Sequence, residues 1–149
     1  VAASPEDRAV LKYRIHWHVL LIHFPIAFFL VAFGFQMLHL FLAPACFELS
    51  TNVAFAAGTV MMIPTTWSGW VSWKHNYNGA KVKLFKIKIT AALLMLGLSI
   101  PLAAWRFFAL GMFEEARMNP GHWIYLAGNV LLVAGAVIEG YYGGRLHHR

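Results

Sequence analysis

His16-Trp17-His18-Val19-Leu20-Leu21-Ile22-His23-Phe24-Pro25-Ile26-Ala27-Phe28-Phe29-Leu30 is the stretch whose reading decides the fold. It opens an apolar run that continues to Leu42. Such a run exceeds the roughly 20 residues that an α-helix needs to cross the hydrocarbon of a bilayer. The same stretch carries three imidazoles. Polar rings at membrane depth are costly, and where they persist they tend to mark sites.

Outward from this first run, Trp17–Leu42, three more of the same kind follow: Val53–Trp73, Ile87–Phe108 and Trp123–Tyr142. The chain has 149 residues, of which 60% are hydrophobic and 12% charged. A soluble domain of this length would have to bury all four runs in one small core. The sequence therefore predicts an all-α integral membrane four-helix bundle. It forms a single transmembrane domain over residues 1–149, of which 1–15 are a short N-terminal arm. Ser4-Pro-Glu-Asp reads as a helix start within that arm.

The formal net charge of +6 would fit a nucleic-acid binder, but its distribution says otherwise. Arg8, Lys12 and Arg14 precede the first run. Lys74, Lys81, Lys83, Lys86 and Lys88 lie between the second and third, and Arg145 and Arg149 follow the fourth. The other two connections hold Arg106 and Arg117 beside Glu48, Glu114 and Glu115. Cations gathered on one side follow the positive-inside bias, so both termini are expected in the cytoplasm, with the protein in the plasma (bacterial inner) membrane. The first dozen residues are polar and charged and show no cleavable-signal pattern.

Pro25, Pro64 and Pro101 fall inside spans, where each removes a backbone hydrogen bond and predicts a bend. Trp67, Trp70 and Trp73 form a belt at the inner boundary with Tyr13, Trp17 and Tyr77. Trp105, Trp123 and Tyr125 are expected to form the outer one. Asn76-Tyr-Asn-Gly reads as a turn. Ala136, Gly140 and Gly144 recur every four residues, a small stripe that permits close helix approach, within the bundle or to a partner subunit.

The histidines fall into two layers. His16, His18, His23 and His75 lie on the cytoplasmic side; His39 and His122 lie on the outer side, from different helices at matching depth. Imidazoles projecting into a four-helix membrane bundle can hold haem b. On a straight helix His16 and His23 share a face, whereas His18 stands about 140° away from His23. Glu139 and Lys88 lie at the depth of His23. There they would form a structural ion pair, serve a proton or quinone site, or orient a ligating imidazole. His147 and His148 sit in the tail.

Other chemistries fit less well. Cys46 is the one cysteine, so no internal disulfide forms, and no Cys-x-x-Cys-His is present to attach a c-type haem. A zinc site without a porphyrin wants converging ligands, and Cys46 is at the far end from the inner histidines. Ser68 and Ser72 sit in nothing like a nucleophile elbow, and there is no phosphate-cradling glycine loop.

His18-x4-His23-Phe-Pro-Ile resembles the opening signature of a bacterial membrane-protein family catalogued as domain of unknown function 2231. The similarity continues through Trp70-Val-Ser-Trp73, Tyr77, Phe85 and Lys88 to Gly140-Tyr-Tyr-Gly143-Gly144-Arg-Leu146. It spans the chain from residue 16 onward. The family usually has proline directly after the first histidine, where this chain has Val19. The resemblance implies a four-helix bacterial inner-membrane protein, sometimes associated with redox partners; it implies no established activity.

The expected function is a b-type haem-binding subunit for electron transfer within a larger membrane redox complex. His18 and His23 are the inner candidate ligands with His75 as their partner, and His39 with His122 the outer pair. Glu139 and Lys88 would tune the inner site or pass protons. The rival expectations are a cofactor-free scaffold subunit, a chlorophyll-type pigment-binding subunit, and a quinone- or proton-handling membrane protein. A non-catalytic electron-transfer or structural subunit is expected ahead of an enzyme by itself.

Overall fold

The computed structural model describes residues 5–42, 45–80, 82–109 and 120–147, with side chains from residue 18 onward except those at 45, 76 and 144–147. Among these residues there are four helices and no strands: α1 (Pro5–Leu42), α2 (Ala45–Asn76), α3 (Lys83–Phe108) and α4 (Pro120–His147). Each contains a segment long and apolar enough to cross a membrane. Large apolar side chains such as Leu20, Leu30, Val60, Ile63, Leu94 and Leu131 face outward. Outward apolar side chains over spanning lengths are the mark of a bundle solvated by lipid. The chain is a multi-pass membrane protein.

The helices form a closed ring in which α1 packs along α2 and α4, and α3 along α2 and α4; across the ring, the Phe55 ring of α2 meets Tyr125 of α4. Polar contacts give the antiparallel register. On one side Thr65 of α2 donates to Leu21 of α1. Toward the other end Asn52 meets Arg106 of α3, and Gln36 of α1 donates to the His122 carbonyl of α4. We call the end that carries the α2–α3 turn, the start of α1 and the close of α4 the basic end, after its lysines and arginines.

The middle of the bundle is filled. Phe29, Phe55 and Tyr125 are almost fully buried, with ring centroids 5.5 Å apart for the first pair and 4.8 Å for the second. Tyr125 therefore belongs to the core and not to an outer aromatic belt. Its position follows from α4's face, since Tyr125, Asn129, Leu132 and Ala136 recur at helical spacing and are all buried. Trp67 and Trp123 are exposed, as interfacial rings should be.

Close packing depends on missing side chains. A Cβ at Gly58 would stand 3.0 Å from the Phe29 ring, and one at Gly135 would stand 2.7 Å from the Met95 sulfur. The α3–α4 approach thus runs through Gly135. In the expected stripe Ala136 is buried, but Gly140 has no atom within 4 Å of its Cβ position, and the side chain of residue 144 lies outside the described residues.

Pro25 shows how an irregularity is accommodated in hydrocarbon. Lacking an N–H, it leaves the carbonyl of Leu21 without its helical donor. The Thr65 hydroxyl, from the neighbouring helix, lies 3.1 Å from that carbonyl and 2.7 Å from the carbonyl of Met61 in its own helix. A neighbouring hydroxyl thus serves the freed backbone group, as membrane helices require. Thr65→Val is expected to destabilise the bundle by about 0.5–2 kcal/mol, and Thr65→Ser to restore most of that. Reversible unfolding in mixed micelles measures both.

The expected turn is present. Asn78 and Gly79 have φ of 47° and 65°, the Gly79 N–H donates to the Trp73 carbonyl, and the Trp73 indole N–H donates to the Ala80 carbonyl at 3.0 Å. α2 starts well before the expected Val53, at Ala45, so that Glu48 lies in its first turn rather than in a connection. Arg106 likewise lies in the last turn of α3, and is 1% exposed.

Candidate functional site

Two polar layers flank the filled middle, and they differ in kind. At the basic end the ring of helices opens into a cavity of about 550 Å³ whose wall is drawn from all four helices. That size lies within the range of ligand pockets, which are lined mainly by apolar groups with a few placed polar ones. Here the apolar wall includes Ile22, Trp70, Trp73, Phe85 and Met95, and the polar groups include His18, His23, Lys88 and Glu139.

His18 is anchored to α2. Its Nδ1 lies 2.9 Å from the Ser68 hydroxyl, and that hydroxyl donates its single proton to the carbonyl of Thr65 at 2.9 Å. With that proton given to Thr65, the Ser68 oxygen can accept from an Nδ1–H of His18, the tautomer that leaves Nε2 unprotonated. In that tautomer Nε2 carries a lone pair, the state in which imidazole ligates a metal. The ring lies against Gly69, where a Cβ would stand 2.9 Å from its Cε1.

His23 also directs Nδ1 to its own helix, 2.6 Å from the Val19 carbonyl, and is more exposed. His18 and His23 both border the cavity although five residues set them well apart around α1. Lys88 of α3 stands 3.6 Å from Glu139 of α4, with both side chains largely buried. The pairing offsets part of the cost of placing either charge in the bundle. The other carboxylate oxygen of Glu139 is buried without a hydrogen-bond partner among the described residues.

His75 is not brought into this layer. It is exposed, does not line the cavity, and its Nδ1 bonds the Val71 carbonyl at 3.0 Å. The reason is angular: His75 follows the cavity-lining Trp73 by two residues, about 200° around α2. The His16, His147 and His148 side chains lie outside the described residues.

The opposite end holds a closed polar cluster. His39 in the last turn of α1 and His122 in the first turn of α4 have ring centroids 5.5 Å apart, tilted by 39°. Glu48 of α2 brings an oxygen to 3.6 Å from His39 Nε2. Its other oxygen accepts from Arg106 of α3, whose Nε donates to the Asn52 amide oxygen at 2.6 Å. The guanidinium also lies 4.4 Å over the Tyr125 ring, a favourable cation–π placement. Gln36 bridges α1 and α4 by donating to the His122 carbonyl while its own oxygen accepts from Asn129.

The expected outer pair thus meets, but in an arrangement without space for a macrocycle. His39 and His122 are 5% and 0% exposed, and Gln36 and Arg106 around them are equally enclosed. Sequence reasoning missed Glu48 and Arg106 as members of this cluster, because it assigned both to connections. The signal available was that each lies within a turn or two of an apolar run.

Comparison of the chain with family models, with curated proteins and with solved structures finds no match. The resemblance to domain of unknown function 2231 accordingly rests on its short motifs alone.

Proposed function

We propose that this protein is a membrane subunit that holds one haem b in the cavity at its basic end, with His18 as the axial ligand supplied by the chain. The observation that carries this reading is the Thr65–Ser68–His18 chain of hydrogen bonds at the wall of an apolar cavity of suitable size, which suits a ring that donates from Nδ1 and ligates through Nε2. No imidazole from another helix lines the cavity among the described residues, so the reading is of a single-histidine site. The group would supply one-electron chemistry, while the chain's part is the axial ligand, the burial and the charge nearby. Lys88 and Glu139 set that charge and give a proton a place to rest. By the positive-inside bias the basic end faces the cytoplasm of a bacterial inner membrane, and electrons would pass to or from partner redox subunits.

The test is haem content. Protein purified in mild detergent is expected to yield one haem b per chain as the pyridine adduct. Absence of haem from protein isolated from haem-replete cells would contradict the reading.

A second reading is favoured by Glu139. A carboxylate oxygen lacking a partner among the described residues, beside a lysine in a cavity that His18 also lines, suits the headgroup of a quinone as well, whose oxygens gain and lose protons. Solvent extraction separates the two: quinone recovered in place of haem, and reduced in Glu139→Gln, would support this alternative.

A further inference from the structure

We propose that His39, Glu48 and His122 form a binding site for a single divalent ion of the zinc or copper class, at the opposite end of the bundle from the cofactor cavity. One ligand atom from each of the three residues lies within 4.8 Å of the others, and all three residues are buried. A tetrahedral centre with bonds of about 2.0–2.2 Å sets its ligands roughly 3.3–3.5 Å apart. The His39 Nε2 to Glu48 oxygen distance of 3.6 Å already approaches that spacing.

The carboxylate gives the independent sign. Glu48 is 6% exposed, and the oxygen turned toward His39 has no hydrogen-bond partner among the described residues. A buried acceptor left without a donor costs free energy, and a cation placed there removes that cost. The second oxygen is occupied by Arg106, which fixes the plane of the carboxylate as outer-shell partners of metal ligands do. The guanidinium also opposes a nearby cation, so affinity is expected to fall short of that of a site with the same two imidazoles and carboxylate but no arginine. Two nitrogens and one oxygen suit zinc(II) and copper(II) better than calcium or magnesium. Three ligands leave a fourth position for water. Each residue stands within a turn or two of a helix end, which places the site near that face of the bundle.

The experiment uses the full chain in detergent with His147→Ala and His148→Ala as background, since adjacent tail histidines bind metals adventitiously. Zinc chloride and copper sulfate are titrated calorimetrically, and X-ray absorption counts the ligands. One ion per chain with two imidazoles and oxygen in its shell is expected. His39→Gln and His122→Gln should each weaken binding more than tenfold, beyond what loss of an outer-shell partner costs. No ion bound by the background chain, or binding unchanged in both variants, would overturn the site. X-ray absorption on the unsubstituted cluster decides the question even if a variant fails to fold. Haem content is unaffected by either result, so the two sites fail independently.

Discussion

Arg106→Met alone is expected to lower stability by about 3–5 kcal/mol, whereas Arg106→Met combined with Glu48→Gln recovers most of the loss. The single change leaves the Glu48 carboxylate enclosed without its cation, the costly way to break a buried ion pair. The double change removes both charges, and a neutral pair of similar volume is often tolerated inside a protein. Arg106 also covers the Tyr125 ring and donates to Asn52, so recovery should fall short of complete. Unfolding of both variants in mixed micelles, with each single variant to close the cycle, measures the coupling. Equal losses in the single and double variants would mean that the charge pair is not what the far end depends on.

His18→Ala is expected to abolish haem binding, and added imidazole to restore it. The alanine leaves a space beside Gly69 that free imidazole can enter, presenting nitrogen at the same wall. A residue of purely structural importance would not be replaced by a soluble ring. Gly69→Ala provides the graded companion. Its new Cβ would stand 2.9 Å from His18 Cε1 and must push the ring aside, straining the bond to Ser68. Occupancy should fall while the fold persists, and His75→Ala should leave haem unchanged. Spectral titration with haemin measures all of these proteins. Full retention of haem by His18→Ala would assign the ligand elsewhere.

Much of the architecture was legible because membrane spans announce themselves: some twenty apolar residues in a row have few other homes. What the chain hid were its polar contacts. Ala45 to Asn52 carries Glu48, Ser50 and Thr51 and reads as a connection, yet it is helical because those groups find partners. Thr51 bonds the Phe47 carbonyl, and Glu48 meets an arginine 58 positions away. No periodicity reports a partnership at that distance. The layering of the histidines was readable from depth, which brought His39 to His122 and placed His18 with His23. Facing was less so. His75 has the right depth on the wrong side of α2, and Tyr125 looks interfacial by residue type while its face carries it into the core.

The claim on which the functional account depends is that the cavity at the basic end carries a redox-active macrocycle. The visible spectrum of the purified chain, recorded as isolated and again after dithionite, addresses it most directly. A Soret band that shifts and sharpens on reduction, with α and β bands appearing, is the expected result. A trace without visible bands in both states would contradict it, leaving the four-helix membrane bundle standing without its proposed cofactor.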